Sequence, residues 1–482
     1  MTTTTNAATT KSYGFFLDGR WVSEGKRVDV VAPHDGSVIG TTFLATPAHV
    51  EAAIQAAVRA FEITRKMPAH ERQRILRAVA DGIAARREEF ARVLALEAAK
   101  PIKSARIEVD RAIFTFQVAA EEATRIYGEW VPLDMLPATT GRWAIVRRFP
   151  IGPISSITPF NFPVNLVAHK WAPAIAAGCT VVHKPAPQAP LCSLLLAEVV
   201  AQVGWPAGAL NVLPLEVADA QPLVTDERIK LLTFTGSAAV GWALKRQAGK
   251  KRVALELGGD AGVIIDADAH LDFAADRCIF GGFGYAGQSC ISVQRILVHR
   301  SIHEKFLATL VPKVQALKVG EPLDETTDVG PLISEAAARR AAKWIDEAAA
   351  GGARVLCGGK RRGAYLDPAV LTGTRPEQRV NCEEIFAPVV TVEPFDDFDA
   401  ALNQINRTPY GLQAGVFTRD ARKIFRAYEE LEVGGVIVGD VSTFRIDHMP
   451  YGGIKDSGMG REGIRYAIEE MTEQKLLVMN VR

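Results

Sequence analysis

Residues 151–184 read IGPISSITPFNFPVNLVAHKWAPAIAAGCTVVHK. A strand-like run at 151–158 ends in the turn Pro159-Phe160-Asn161-Phe162-Pro163. A helical run at 163–177 follows, and a second strand-like run stands at 180–184. Two strands joined by a crossover helix pair parallel, because the helix returns the chain to the end where it began. The same rhythm continues downstream. Strand-like runs at 209–213, 231–235, 252–257 and 262–266 alternate with helical runs at 191–203 and 238–247. This predicts an α/β fold with a parallel sheet covered by helices on both faces. A second set begins after Cys290, with a strand at 295–299, helices at 302–317 and 335–350, and further elements to residue 430.

Upstream, residues 15–21 and 28–43 are strand-like, with turns at Asp18-Gly19 and Asp35-Gly36. Helices are expected at 50–61, 71–99 and 106–127. In the middle one Ile75, Val79, Ile83, Phe90 and Leu94 recur at helical spacing, and Pro68 and Pro101 bound it.

Composition narrows the function. The 482 residues exceed one ordinary domain of about 150. Lys plus Arg number 56 and Asp plus Glu 55, so broad electrostatic binding of nucleic acid or an anionic membrane is not expected. No apolar run is long enough to span a bilayer. The Thr-rich residues 1–10 are expected to be a tail rather than a secretory signal. The six cysteines form no CxxC pair and no disulfide framework, which fits a reducing compartment, the cytoplasm, and no metal site.

Two segments compete as phosphate loops. Gly282-Phe283-Gly284-Tyr285-Ala286-Gly287 matches G-x-G-x-x-G, but a helical run precedes it, whereas the dinucleotide fingerprint needs a strand before and a helix after. It is expected to be a small-residue turn. Phe234-Thr235-Gly236-Ser237 follows a strand and opens a helix, whose free N–H groups suit a pyrophosphate or a plain N-cap.

Seven strings stand in order along the chain. Residues 159–163 (PFNFP), 183–186 (HKPA), 234–237 (FTGS) and 256–259 (ELGG) come first. Residues 287–290 (GQSC), 383–388 (EEIFAP) and 450–458 (PYGGIKDSG) complete the set. Together they resemble the NAD(P)-dependent aldehyde dehydrogenase superfamily, of the hydrolytic type, over nearly the whole chain. The resemblance implies a Rossmann-like NAD(P)-binding domain (1–131 and 150–256) and an α/β catalytic domain (257–441). It also implies a substrate-site loop (442–466) and a small β oligomerisation arm (132–149 and 467–482) that builds a homodimer or homotetramer.

The implied chemistry suits these residue types. A cysteine makes a tetrahedral adduct with an aldehyde and then a readily hydrolysed thioester. Cys290 follows the small-residue turn and is the candidate nucleophile. Glu256 ends a strand 34 residues earlier, backed by Gly258 and Gly259, and is the candidate base for deacylation. Asn161 and the Cys290 backbone N–H are the candidate oxyanion donors. Lys170 and Glu462 match a proton relay. Thr158, Phe160, Lys184, Gly236, Ser237, Leu257, Glu384 and Phe386 match cofactor-binding positions for NAD or NADP. In place of a Glu that many NAD-preferring members carry stands Pro187, so NADP remains open.

The substrate positions depart most. Arg111, Asn165, His169, Ser289 and Arg445 stand where an apolar tunnel would carry aromatics and Met. Burying an unpaired guanidinium is costly, and an anionic substrate group would offset that cost. Local pairs offer the alternative: Arg111 with Glu108 or Asp110, Arg445 with Asp447 or His448. The expected function is oxidation of a small polar or anionic aldehyde to the acid, with a broad-specificity aldehyde dehydrogenase, a cysteine hydrolase without redox chemistry and a non-catalytic structural protein as the alternatives.

Overall fold

The computed structural model describes residues 11–481, so the expected tail at 1–10 lies outside the described residues. The first large sheet has eight strands. Its order is Gly458–Met459, Arg252–Glu256, Leu231–Thr235, Ile154–Ile157, Val181–Lys184, Leu210–Val212, Phe15–Leu17 and Arg20–Val22. The five from Arg252–Glu256 to Leu210–Val212 run parallel. Helix Asn165–Ala177 is buried along its whole length, and its polar residues Asn165, His169 and Lys170 find their partners inside the protein. Gly178 ends it in the left-handed conformation at φ 89°.

The second sheet has seven strands, in the order Arg354–Cys357, Ala369–Thr372, Val389–Phe395, Arg295–His299, Gly262–Ile265, Gln413–Phe417 and Gly435–Val438. Only its first pairing is antiparallel. Strand Gly262–Ile265, grouped by rhythm with the first set, belongs inside this second sheet, between Arg295–His299 and Gln413–Phe417. A Cβ on Gly262 would stand 2.1 Å from Ile405 Cδ1, so the missing side chain lets the strand pack beneath the helix Phe398–Asn406.

The expected helix at 71–99 is two helices, Ala69–Ala85 and Arg87–Glu97. Arg86 between them has φ −114° and ψ 20°. Its guanidinium bonds Glu89 at 2.8 and 3.0 Å and Glu198 at 2.7 Å. Apolar periodicity survives the break and conceals it.

Strands Glu129–Pro132, Arg142–Pro150 and Thr472–Asn480 form a separate antiparallel sheet. Thr472–Asn480 is an edge strand in which Leu476, Leu477, Val478 and Met479 are exposed. Among the described residues no helix is long and apolar enough to cross a membrane.

Candidate active site

The carboxyl ends of the parallel strands bring the first group together. Register pairs Lys184 with Ile157, Ile157 with Phe234, and Thr235 with Glu256. Ligands bind outside this edge in open α/β sheets. The Thr158 N–H donates to Lys184 O at 3.3 Å, and the Gly236 N–H donates to Glu256 O at 3.0 Å. Ser237 stands at the N-cap of helix Ala238–Gln247 with no side-chain bond to the helix, and with Gly236 it lines the cleft. Lys184 is buried with Pro185 O as acceptor at 3.3 Å, and burial lowers its pKa.

The second sheet delivers Cys290. Helix Leu271–Phe283 stops, and Tyr285, Ala286 and Gly287 follow at φ 51°, 53° and 70°. The G-x-G-x-x-G match is this left-handed turn, as its helical prelude suggested. A Cβ on Gly287 would meet Ala387 O at 2.1 Å. The turn is tied to the Asn161 loop by Lys100, a buried ammonium over the rings of Phe162 and Tyr285 at 3.7 and 4.3 Å. Lys100 pairs with buried Glu108 and donates to Asn161 O at 2.8 Å. Glu108 accepts the backbone N–H groups of Val164 and Asn165 at 3.0 and 3.1 Å, at the start of helix Asn165–Ala177.

These loops enclose a cleft of about 240 Å³. Cys290 Sγ lies 3.0 Å from the Tyr451 hydroxyl. Burial pushes the thiol up to about 12, against the Tyr451 hydrogen bond and the Arg445 charge, which pull it down. Asn161 Nδ2 donates to Gln288 O at 3.1 Å, two residues before the sulfur's own. Glu256 is buried, and its Oε2 has no partner among the described residues. Burial and then the Glu462 charge hold its carboxyl well above the usual range. Glu384 accepts the Gly259 N–H at 3.0 Å, and burial raises it to about 7. A Cβ on Gly258 would stand 2.3 Å from Glu384, so glycine is what lets that carboxylate close on the strand end.

The arginines have partners other than their chain neighbours. Arg111 pairs with Asp447, and Arg445 donates to Glu462 Oε2 at 2.9 Å. The expected partners Asp110 and Glu108 are taken, by Arg87 and by Lys100. Arg445 is 6% exposed, and its guanidinium stacks on the Tyr451 ring at 3.7 Å. Lys170 donates to Thr233 Oγ1 at 2.9 Å and Glu462 Oε1 at 3.3 Å. Burial would raise Glu462, but Lys170 and Arg445 hold it at about 2.

Of the expected site residues, Cys290, Glu256, Asn161, Phe160, Gly236, Ser237, Leu257, Glu384 and Phe386 line this cleft. Arg111, Asn165, Ser289 and Arg445 line it too. Lys170 and Glu462 stand behind it, and Thr158 and Lys184 lie along the strand ends outside its lining. His169 does not line it either: it sits fully buried, 2.8 Å from Asp447 Oδ1, and burial lowers its pKa. Sequence reasoning did not single out Tyr451, although it stands in the quoted residues 450–458. A contact across 161 residues leaves no mark in spacing.

A thiol, a buried carboxyl and an amide meet around a cleft at the carboxyl edge of a parallel sheet, a set of groups that suits acyl chemistry on a cysteine. The chain belongs to the aldehyde dehydrogenase family, whose model matches residues 21–477, and it oxidises aldehydes with NAD(P)+. It is similar to 3-sulfolactaldehyde dehydrogenase of Priestia aryabhattai, 42% identical over 99% of this chain and 100% of that protein. Aldehyde dehydrogenase 21 of Physcomitrella patens, solved with its reaction product succinate, superposes with a TM-score of 0.97. It is 46% identical, over 98% of this chain and 99% of that one. Glyceraldehyde-3-phosphate dehydrogenase of Methanocaldococcus jannaschii, solved with NADP, has a TM-score of 0.92. It is 40% identical, over 95% and 100% of the two chains.

Proposed function

We propose that the substrate is a short aldehyde with an anionic end, oxidised to the free acid by Cys290, Glu256 and Asn161. The observation that carries this is Arg445, a buried cation lining the same cleft as Cys290, whose Nε has no partner among the described residues. Arg111 lines the cleft as well, with no hydrogen bond at Nη1 among the described residues. An anion between them would gain charge-assisted hydrogen bonds in a desolvated place. Sulfolactaldehyde, succinate and glyceraldehyde-3-phosphate in the relatives' names share that chemistry: few carbons and an anion. Asn165 and Ser289 add polar lining. His169 acts at one remove, by holding Asp447.

The residues present fit a dinucleotide. Ser237 and the N-terminus of helix Ala238–Gln247 suit its pyrophosphate, Glu384 a ribose, Lys184 the other ribose, and Thr158, Phe160, Leu257 and Phe386 flank them. When bound, it supplies the hydride acceptor. Pro187, exposed beside Lys184, neither pairs with ribose hydroxyls nor repels a 2′-phosphate.

Cys290 attacks the carbonyl carbon as the thiolate, forming the C–S bond. The oxygen becomes an oxyanion, to which Asn161 Nδ2 and the Cys290 N–H donate. Once the hydride has left, the acyl group remains on Sγ as a thioester. Glu256 takes a proton from water, the water oxygen bonds the acyl carbon, and the C–S bond breaks to free the acid. Lys170 and Glu462 stand behind Glu256 to relay that proton.

The domain division follows the same reading: a cofactor domain on the eight-stranded sheet, a catalytic domain on the seven-stranded one, and an arm. Edge strand Thr472–Asn480 suits association with a second copy, as dimer or tetramer. Six free thiols suit the cytoplasm.

The test is a panel of aldehydes of equal length assayed with NAD and NADP, with Cys290→Ser as control. The reading expects anionic aldehydes to lead and Cys290→Ser to lose about 10⁴-fold in turnover while still binding cofactor. Preference for long alkanals would overturn it.

A further inference from the structure

Tyr451 is fixed on every side. Its N–H donates to Glu462 O at 3.0 Å, and its carbonyl accepts from the Glu462 N–H at 2.6 Å. Its ring packs with Ile291 and Leu412, and only 3% of the residue is exposed. The Arg445 guanidinium covers one ring face at 3.7 Å and is itself held by Glu462. The one hydrogen-bond partner of the hydroxyl among the described residues is Cys290 Sγ, at 3.0 Å.

We propose that Tyr451 is a catalytic residue. Its hydroxyl donates a hydrogen bond to the Cys290 thiolate, and Arg445 over its ring strengthens that donation. This rests on Cys290 being the nucleophile. The thiol proton leaves to water in the cleft, while Tyr451 keeps its own proton and shares it with S⁻, so no bond to Tyr451 breaks. A phenol is a stronger donor than a thiol, and its bond to an anion is the charge-assisted kind. A cation over the ring face draws on the ring's electrons and makes the O–H more acidic. When Sγ bonds carbon it loses its charge, and the hydrogen bond weakens.

The charged groups around the pair act in both directions. Arg445 favours both the thiolate and the phenolate, whereas Glu256 opposes both and Glu384 opposes the thiolate. Burial raises the Tyr451 hydroxyl well above its usual range, so the phenol stays protonated as a donor.

The test is alkylation of the cofactor-free enzyme by iodoacetamide at one fixed pH, read as the rate at the Cys290 peptide by mass spectrometry. Cys382, partly exposed, serves as the internal control. Tyr451→Phe keeps the ring and its stack but removes the donor. The thiolate population should fall, but a thiolate's intrinsic reactivity rises with its pKa, so the Cys290 rate should fall by about 3–10-fold. Cys382 should not change. Replacing Tyr451 with 3,5-difluorotyrosine, a stronger donor, should raise the Cys290 rate. Arg445→Met should lower it, and by less in the Tyr451→Phe background. An unchanged Cys290 rate in Tyr451→Phe overturns the inference, and a raised KM beside it would make the hydroxyl a substrate contact. Retained aldehyde oxidation in Cys290→Ser would instead overturn the role of Cys290, since alkylation needs no substrate.

Discussion

Arg111 and Asp447, 336 residues apart, form two parallel hydrogen bonds, Nε to Oδ2 at 3.1 Å and Nη2 to Oδ1 at 2.7 Å. Asp447 also accepts from Asn165 at 3.0 Å and meets His169 at 2.8 Å. Burial would raise its carboxyl, but His169 and Arg111 hold it far below the usual range. The pair fixes which edge of the guanidinium faces the cleft.

Asp447→Asn should therefore weaken the fold as well as the site. Breaking a buried pair at one partner costs about 3–5 kcal/mol, and less here because Arg111 is a quarter exposed. The folded pKa is depressed. The stabilisation is therefore fully present above the unfolded value of about 4 and is lost as pH falls through the folded one. Melts of both proteins should differ by a constant amount from about pH 5 to 8 and converge only in strong acid. Convergence near neutral pH would show that Asp447 is not held as the anion.

Glu256→Gln should stall after hydride transfer, giving a single-turnover burst of reduced cofactor and a slow steady state. In the wild type the raised carboxyl must lose its proton to act as a base. Deacylation should therefore speed up as pH rises through that raised value, and the variant should lack this limb. Stopped-flow absorbance at several pH values reads both. A variant that turns over like wild type would pass the role to Glu462.

Pro187→Glu should favour NAD over NADP by about one to two orders of magnitude, because the new carboxylate would repel a 2′-phosphate. The ratio of kcat/KM for the two cofactors is the readout. No change would place the adenosine ribose away from Lys184.

Lys100→Met should loosen the site without touching the cleft. It leaves Glu108 buried and unpaired, a loss of about 3–5 kcal/mol, and frees the Asn161 loop from the turn that carries Cys290. Combining it with Glu108→Gln should lose less than the two singles summed, in thermal melts. Additive losses would mean that the two residues act independently.

Much of the fold was legible because its elements have local causes. Strand Leu231–Thr235 and helix Ala238–Gln247 lie where periodicity sets them. The break at Arg86 was not legible, since apolar periodicity runs through it and one partner of Arg86, Glu198, lies more than 100 residues away. Nor did rhythm alone show which sheet takes Gly262–Ile265, since a buried parallel strand looks the same in either; only the resemblance set residues 257–441 apart. Within the site, Cys290, Glu256 and Asn161 stood out by the motifs around them. The partners of Arg111 and Arg445 and the contact of Tyr451 did not, because each is made across the fold rather than along the chain.

The proposed preference for an anionic aldehyde is tested most directly by one ratio. It is kcat/KM for an aldehyde ending in a carboxylate over that for a neutral aldehyde of equal length, in wild type and in Arg445→Met. Losing a desolvated charge pair costs about 2–5 kcal/mol, so the ratio should fall at least about 30-fold, carried mainly by the anionic substrate. If the ratio is unchanged, Arg445 serves only Glu462 and Tyr451, and the proposed substrate class is wrong.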